Sequence, residues 1–306
     1  MQTISSTQPG STQPGSTQPG STQPGPAEIR ARLRAMWASV ADGWAEHADY
    51  TDRRAADLTR LMLQRTDPQP GERVLELASG PGGTGLAAAE LVGPDGEVVV
   101  SDVVPAMTAI ASARAAARGL VNVRTRELDL HEIDEPAKSF DVVLCREGLM
   151  FATDPARATS EIRRVLRPGG RVAIAVWGPR ERNPWLAIVL DAVSGQTGQP
   201  VPPSGMPGPF SLDDADRLAG LLSRAGLVDV EVTDVPVLTR AASFEEWWVR
   251  TAALAGPLSK MLESLPSPVL LAIEDQLRSA TSTFQTPAGL ELPGLALLAT
   301  AKRNTA

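Results

Sequence analysis

From residue 70 onward the apolar residues fall into two alternating patterns. Short apolar runs at 73–78, 97–101, 121–127, 140–145 and 171–177 have the length and β-branched content of buried strands. Between them, 83–92, 105–118 and 154–166 carry Ala, Leu and Arg in longer stretches that suit helices. Such alternation predicts a parallel sheet covered by helices on both faces. Upstream, Ile29, Leu33, Met36, Trp37, Val40 and Trp44 recur at helical spacing, and a second helix is predicted from Arg53 to Arg65, ending before Asp67-Pro68. After Trp177 the pattern loosens. The stretch 178–210 is rich in Pro and Gly, and its end, 201–210, reads as a loop. Ser211 is the expected N-cap of a helix to Ala225, closed by Gly226. Val228, Val230 and Val232 alternate in a predicted sixth strand over 228–236. Residues 243–281 read as helical with breaks at Pro257, Pro266 and Pro268, and Leu295 to Ala301 reads as a seventh strand ending in an exposed Lys302-Arg303.

The first 26 residues stand apart. The pentapeptide STQPG occurs in tandem at 6–10, 11–15, 16–20 and 21–25, with no apolar side chain to bury. A disordered tail is expected there, with order beginning near Pro26.

Charge and composition narrow the function classes. A net charge of −7 and a pI of about 5.1 provide no global positive field, so nucleic acid is not expected as the main partner. One cysteine, Cys145, and two histidines, His47 and His131, exclude a disulfide framework and a Cys-rich zinc site, and no metal is expected. The sequence has no apolar run of membrane-spanning length and no signal-peptide pattern, so a cytoplasmic protein without a membrane span is expected.

The strongest local signal is Val74-Leu-Glu-Leu-Ala-Ser-Gly-Pro-Gly-Gly-Thr-Gly85, between the first predicted strand and its helix. Gly80, Gly82 and Gly85 satisfy G-x-G-x-x-G, and Asp102 follows 22 residues after Gly80, at the end of the second strand. A dinucleotide site fits this pattern, with the acid on ribose hydroxyls. Glu76 points elsewhere. A pyrophosphate at this turn would be repelled by a neighbouring carboxylate, whereas a ligand with an ammonium and a sulfonium would be attracted. Glu76 could equally fix the loop by accepting its N–H groups, or be a buried structural carboxylate.

These residues resemble a known family. Glu76-Leu-Ala-Ser-Gly80-Pro-Gly82 is similar to motif I of class I S-adenosylmethionine-dependent methyltransferases, with Ala78 in place of the first glycine. Ser-Asp102-Val-Val-Pro-Ala-Met107 resembles the second motif, and Glu-Leu-Asp129-Leu130 the third. Phe140-Asp-Val-Val-Leu-Cys145 resembles strand four, and Leu166-Arg-Pro-Gly-Gly170 the turn into strand five. The likeness spans about 70–178 and is nearest to the ubiquinone and menaquinone C-methyltransferase group. It implies a doubly wound, seven-stranded, mostly parallel sheet with an antiparallel last strand. It further implies S-adenosylmethionine as cofactor, held by Glu76, Ala78, Ser79, Gly80 and Gly82, with Asp102 on the ribose and Asp129 near the adenine amino group. Val103, Leu130 and Met107 are candidate adenine contacts or core residues, and Arg146 sits at the same sheet edge. The implied division is 27–69 as N-terminal helices, 70–178 as cofactor-binding core, and 179–306 as an acceptor-side region with a helical insertion at 243–281.

The reaction implied is methyl transfer to O, N or C of a small acceptor. Glu147, at the carboxyl edge of strand four, is a candidate general base or a solvated edge carboxylate. His47, in Trp44-Ala-Glu-His-Ala-Asp-Tyr50, is a second candidate base or an ordinary histidine, and Trp44 or Tyr50 a ligand contact. His131-Glu132 reads as the start of a surface helix. Cys145 lacks the preceding proline of a cytosine methyltransferase nucleophile and reads as a buried thiol. Phe151, Trp177, Trp185, Phe210, Trp247 and Trp248 are candidates for an apolar acceptor pocket, or for core packing. Phe244 shares a helical face with Trp247 and Trp248, at spacings of three and four, and that face would line a lid or pack on the sheet. Two rival readings remain open from the sequence alone. One is a nicotinamide-dependent oxidoreductase, although the only tyrosine, Tyr50, is followed by Arg54 and not by the lysine of a Tyr-x-x-x-Lys pair. The other is a non-catalytic cofactor-binding module.

Overall fold

The computed structural model describes residues 25–305, so the predicted tail lies outside the described residues apart from its last two positions. Pro26 opens the first helix as its N1 residue, where a missing N–H costs nothing. Four helices come first: α1 (Pro26–Ala38), α2 (Ala41–Glu46), α3 (Ala48–Arg54) and α4 (Ala56–Thr66). The sequence pattern predicted two continuous helices here. Val40, His47 and Ala55 interrupt them without Gly or Pro, because the chain curves over the sheet edge to meet the C-terminal half. Gly43 marks that meeting, since a Cβ on it would lie 2.6 Å from the carbonyl oxygen of Ala253.

The core follows the predicted alternation: β1 (Arg73–Glu76), α5 (Gly83–Val92), β2 (Glu97–Asp102), α6 (Pro105–Ala117), β3 (Val123–Glu127), β4 (Phe140–Arg146), α7 (Pro155–Val165) and β5 (Leu166–Trp177). The C-terminal part adds α8 (Pro184–Thr197), α9 (Ala215–Arg224), β6 (Leu227–Pro236), β7 (Thr239–Ala241), α10 (Phe244–Leu254), α11 (Gly256–Glu263), α12 (Ser267–Thr281), β8 (Gln285–Thr286), β9 (Gly289–Leu292) and β10 (Leu295–Arg303). The main sheet has the order β3-β2-β1-β4-β5-β10-β6, with β10 antiparallel to both neighbours and the other pairs parallel. Runs such as Val98–Val100 and Val142–Leu144 are fully buried because helices cover both faces. The chain winds outward from β1 to β3 and then returns to β4, so the order reverses between β1 and β4. Ligands bind at such a point, outside the carboxyl ends of the strands. No helix among the described residues is long and apolar enough to cross a membrane.

The C-terminal part departs from expectation in four places. Helix α8 lies inside the Pro/Gly-rich stretch: Pro184 opens it and Gly198 closes it in a left-handed conformation. Asp214, not Ser211, caps α9 by accepting the N–H of Arg217, while the Ser211 hydroxyl accepts the N–H of Gly208. A second small sheet, β7-β9-β8, was not foreseen. Arg303 is not free: its Nη1 donates to the carbonyls of Arg163, Arg164 and Leu166, which the end of α7 leaves without helical partners.

Asn183 ties this region together. It is fully buried, and its Nδ2 donates to the carbonyls of Gly178, Pro179 and Leu295. Its Oδ1 accepts the N–H of Leu295 at 2.9 Å and the indole N–H of Trp185 at 3.2 Å. One side chain thus joins the exit of β5, the start of α8 and the entry of β10. Replacing Asn183 by Ala strands several buried polar groups and is expected to cost roughly 3–5 kcal/mol in urea unfolding. A loss under about 1 kcal/mol would show that the joint holds without it.

Candidate active site

The loops after β1 and β4 meet at the reversal point. Leu77 N–H bonds to the Leu144 carbonyl at 2.8 Å, and Ser79 N–H to that of Ser101 at 2.9 Å. Ala78 then takes a left-handed φ of 49°, the conformation for which motif glycines are ordinarily needed. Glu147, just past β4, is also left-handed at 58°, with its N–H bonded to the Ala175 carbonyl at 2.7 Å. Between them stands Gly148, where a Cβ would lie 2.4 Å from that of Ala78. Non-glycine residues are held in this conformation only where surroundings fix them, commonly at functional sites.

A cavity of about 1000 Å3, counting its open mouth, lies over these loops. Its floor includes Ala78, Ser79 and Gly80, with Asp102 and Val103 from the end of β2 and Met107 from α6. Asp129, Leu130 and Phe151 line another wall, and Arg146 and Glu147 a third. Asp102 Oδ2 accepts the N–H of Gly80 and Oδ1 that of Val104, each at 2.9 Å, so this carboxylate fixes the loop while each oxygen keeps a lone pair for a ligand hydroxyl. Burial raises its pKa, opposed by those N–H groups.

Asp129 is oriented by His131, whose ring is buried. Nε2 accepts the backbone N–H of Asp154 at 3.1 Å, which assigns the ring proton to Nδ1, 2.6 Å from Asp129 Oδ1. That hydrogen bond is the main reason the Asp129 pKa is lowered. The expected surface helix at His131 is absent: the chain turns there so that the imidazole can plug the gap before α7.

The roof comes from the N-terminal helices. Leu33, Trp37 and Trp44 close over the loop, Trp44 standing 3.6 Å from where a Gly80 Cβ would be. Arg34 pairs with Glu127 across the mouth. Asp52 of α3 sits over the start of α5, where a Cβ on Gly83 would lie 1.9 Å from its Oδ1, and pairs with Arg114 at 2.6 Å. The helix terminus that would receive a pyrophosphate is therefore already faced by a carboxylate of the protein. The cavity suits a nucleoside with a positively charged tail, not a dinucleotide.

Glu76 lies beneath this floor and not on it. It is 1% exposed, its Oε2 has no hydrogen-bond partner, and burial lifts its pKa to about 7 against the opposing charge of Arg146. Gly82 also stays off the wall, pressed against α6 where a Cβ would lie 2.9 Å from that of Ala111. Cys145 is buried, and its thiol is pushed up to about 12, so it remains protonated.

A second cavity, of about 920 Å3, opens beside the first, and both share Trp37, Trp44, Glu147 and Phe151. Trp177, Trp185 and Tyr50 extend its aromatic wall. Arg54 of α3 enters it with a side chain 7% exposed, its guanidinium 5.1 Å and 4.8 Å from the rings of Trp177 and Trp185. The same guanidinium pairs with Glu147 at 3.3 Å, and Glu147 Oε1 is left without a partner. An ionisable oxygen with spare capacity thus stands where the two cavities join.

Besides Glu76 and Gly82, further expected site residues are elsewhere. His47 lines neither cavity and lies near Glu246 at the junction of α2 and α3. Phe210 packs on the core, and Trp247 is fully buried with Phe244 at 5.7 Å, so the aromatic face of α10 is core packing and not a lid lining. Trp185, also expected at an acceptor pocket, lines the second cavity, and Arg54, His131 and Arg250 reach the cavities although the sequence pattern gave them no site role.

The methyltransferase-domain family matches residues 74–170. The chain is 35% identical over 136 residues to the ubiquinone/menaquinone biosynthesis C-methyltransferase UbiE of Ectopseudomonas mendocina; the match covers 44% of this chain and 53% of that enzyme, about half its length. It is 30% identical over 197 residues to the nocamycin O-methyltransferase of Saccharothrix syringae, covering 61% of this chain and 70% of that one. Among solved structures, the YcgJ protein of Bacillus subtilis aligns with a TM-score of 0.56 at 19% identity, over 81% of this chain and 98% of that one, a likeness of fold.

Two measurements probe the floor of the first cavity. As pH rises from about 4.5, the unfolded chain releases the Glu76 proton first, and stability falls until the folded state ionises near 7. Asp102 shifts in the same direction, so the readout is the difference between wild type and Glu76→Gln. The variant should lose a decline on the order of 3 kcal/mol across that window, and parallel stability curves would contradict the assignment. Asp102→Ala should weaken binding of an adenosyl ligand by about 1–3 kcal/mol in calorimetry, and unchanged affinity would remove Asp102 from the site.

Proposed function

The chain belongs to the class I S-adenosylmethionine-dependent methyltransferases, and from that premise we propose that it methylates a hydroxyl oxygen on a small, flat aromatic acceptor. S-adenosylmethionine supplies a methyl group made electrophilic by its positive sulfur. The residues that would hold it are Ser79 and Gly80 of the loop, Asp102 for ribose hydroxyls, and Asp129 with Leu130 and Val103 around the adenine, all of which line the first cavity. Asp102 on the floor and Asp52 over the start of α5 disfavour a pyrophosphate ligand.

The observation that carries the proposal is Glu147 at the joint of the two cavities, with one oxygen on Arg54 and the other unpartnered. The tryptophan and phenylalanine walls give an aromatic acceptor apolar area and ring contacts worth about 0.5–1.5 kcal/mol each beyond burial. They also keep water from the reacting oxygen. Glu147 takes the proton as the hydroxyl becomes a nucleophile, and Arg54 faces the negative charge that develops there. The names of the relatives divide between carbon and oxygen acceptors. A base with free capacity at the joint suits a neutral hydroxyl, whose proton must leave as the O–CH3 bond forms and the S–CH3 bond breaks.

Incubation with methyl-labelled cofactor and a metabolite extract should yield a labelled aromatic methyl ether. With that acceptor, Glu147→Gln should lower kcat by about 100-fold or more while cofactor affinity and KM stay near wild type. Glu147→Asp should retain more activity than Glu147→Gln. Full kcat in Glu147→Gln, or a label found on carbon or nitrogen, would overturn the reading.

A further inference from the structure

We propose that the acceptor cavity has a second, anion-binding end built by Arg250 and Thr239, so that the acceptor carries a carboxylate away from the oxygen it presents to Glu147. This rests on the aromatic-acceptor reading and adds a charge requirement to it. Arg250 and Thr239 line the second cavity but not the cofactor cavity.

Arg250 is a charged group withdrawn from water, its side chain 8% exposed. Its guanidinium lies 3.5 Å from the centroid of the Tyr50 ring, which fixes its plane. Nη1 donates to Glu246 and Nη2 to the carbonyl of Arg240, which leaves three of five N–H donors uncommitted. Glu246 offsets this charge only in part, because its own side chain is 47% exposed and its hold is screened by solvent. The other ionic groups on this cavity, Arg54 and Glu147, pair with each other. Arg250 is therefore the charge on this cavity whose counter-ion lies outside it.

Thr239 provides a separate indication at the same place. It precedes Arg240, the residue whose carbonyl Arg250 holds, and its hydroxyl is buried with no partner. An unpartnered buried hydroxyl is a cost that valine would avoid in the same space. A ligand oxygen meeting both Thr239 and Arg250 would satisfy the hydroxyl and the free guanidinium donors together. A carboxylate matches the planar fork with a single charge, whereas a phosphate dianion would bring a second charge toward Glu246 and Glu147.

Calorimetry on the full chain loaded with S-adenosylhomocysteine tests this with paired probes. 2-Naphthol offers ring and hydroxyl, and 6-hydroxy-2-naphthoate adds a carboxylate at the opposite end. The acid should bind about tenfold or more tighter, as expected for charge-assisted hydrogen bonds. Arg250→Gln and Thr239→Val should each erase most of that advantage and leave 2-naphthol affinity unchanged. Thr239→Val removes one unpartnered hydroxyl at constant shape, so it carries the test if Arg250→Gln does not fold. Equal affinities in wild type, or an advantage that survives Thr239→Val, would overturn the anion-binding end while leaving the aromatic cavity in place. Tighter binding of 6-hydroxy-2-naphthyl phosphate than of the acid would overturn the carboxylate assignment. Failure of every probe to bind would overturn the aromatic-acceptor reading as well.

Discussion

The contact between the loops after β1 and β4, with no side chain between Ala78 and Gly148, is the constraint on which the site depends. It exists because parallel strands that reverse order at β1 and β4 bring two unrelated turns to one sheet edge. On either side of it Ala78 and Glu147 adopt left-handed conformations. It also gives the two cavities a common wall, since Glu147 is delivered to their joint with its own N–H already spent on Ala175. Adding a methyl at Gly148 would part the loops, and cofactor floor and acceptor wall would shift together.

Above this contact the chemistry is set by desolvated charge. Asp102 and Asp52 flank the glycine loop, and their partners are backbone N–H groups or arginines of α6 and β4, which makes this edge hospitable to a cation. Arg54 is brought into an aromatic box by α3, and Glu147 and the two tryptophan rings replace the water it loses. Ion pairs of this kind add little net stability, and removing either partner leaves the other buried and unpaired. Their value here is position. The N-terminal helices carry Trp37, Trp44, Asp52 and Arg54 onto the core, so roof, latch and acceptor wall come from one segment.

The core was legible in the sequence because its periods are clean. Strands of Val, Leu and Ile alternate with Ala-rich helices, and α5 spans the predicted 83–92. The spacing from Gly80 to Asp102 also placed the acid beside the loop, where a hydrogen bond joins them. The C-terminal part was less legible. Pro184 and Gly198 look like loop residues until they are seen as the two ends of α8, and β7, β8 and β9 are too short to show a period. Arg54, His131 and Arg250 escaped notice because their roles depend on partners 93, 23 and 10 residues away, which no local pattern reports. Trp247 misled for the opposite reason. An aromatic stripe at helical spacing must bury somewhere, and here it buries inward.

The most direct measurement is a structure of the ternary complex with S-adenosylhomocysteine and the identified acceptor. The account predicts the acceptor ring among Trp37, Phe151 and Trp177, with its reacting oxygen about 3 Å from a Glu147 carboxylate oxygen. An acceptor seated outside the tryptophan-lined cavity, or one whose reacting atom is turned away from Glu147, would contradict it.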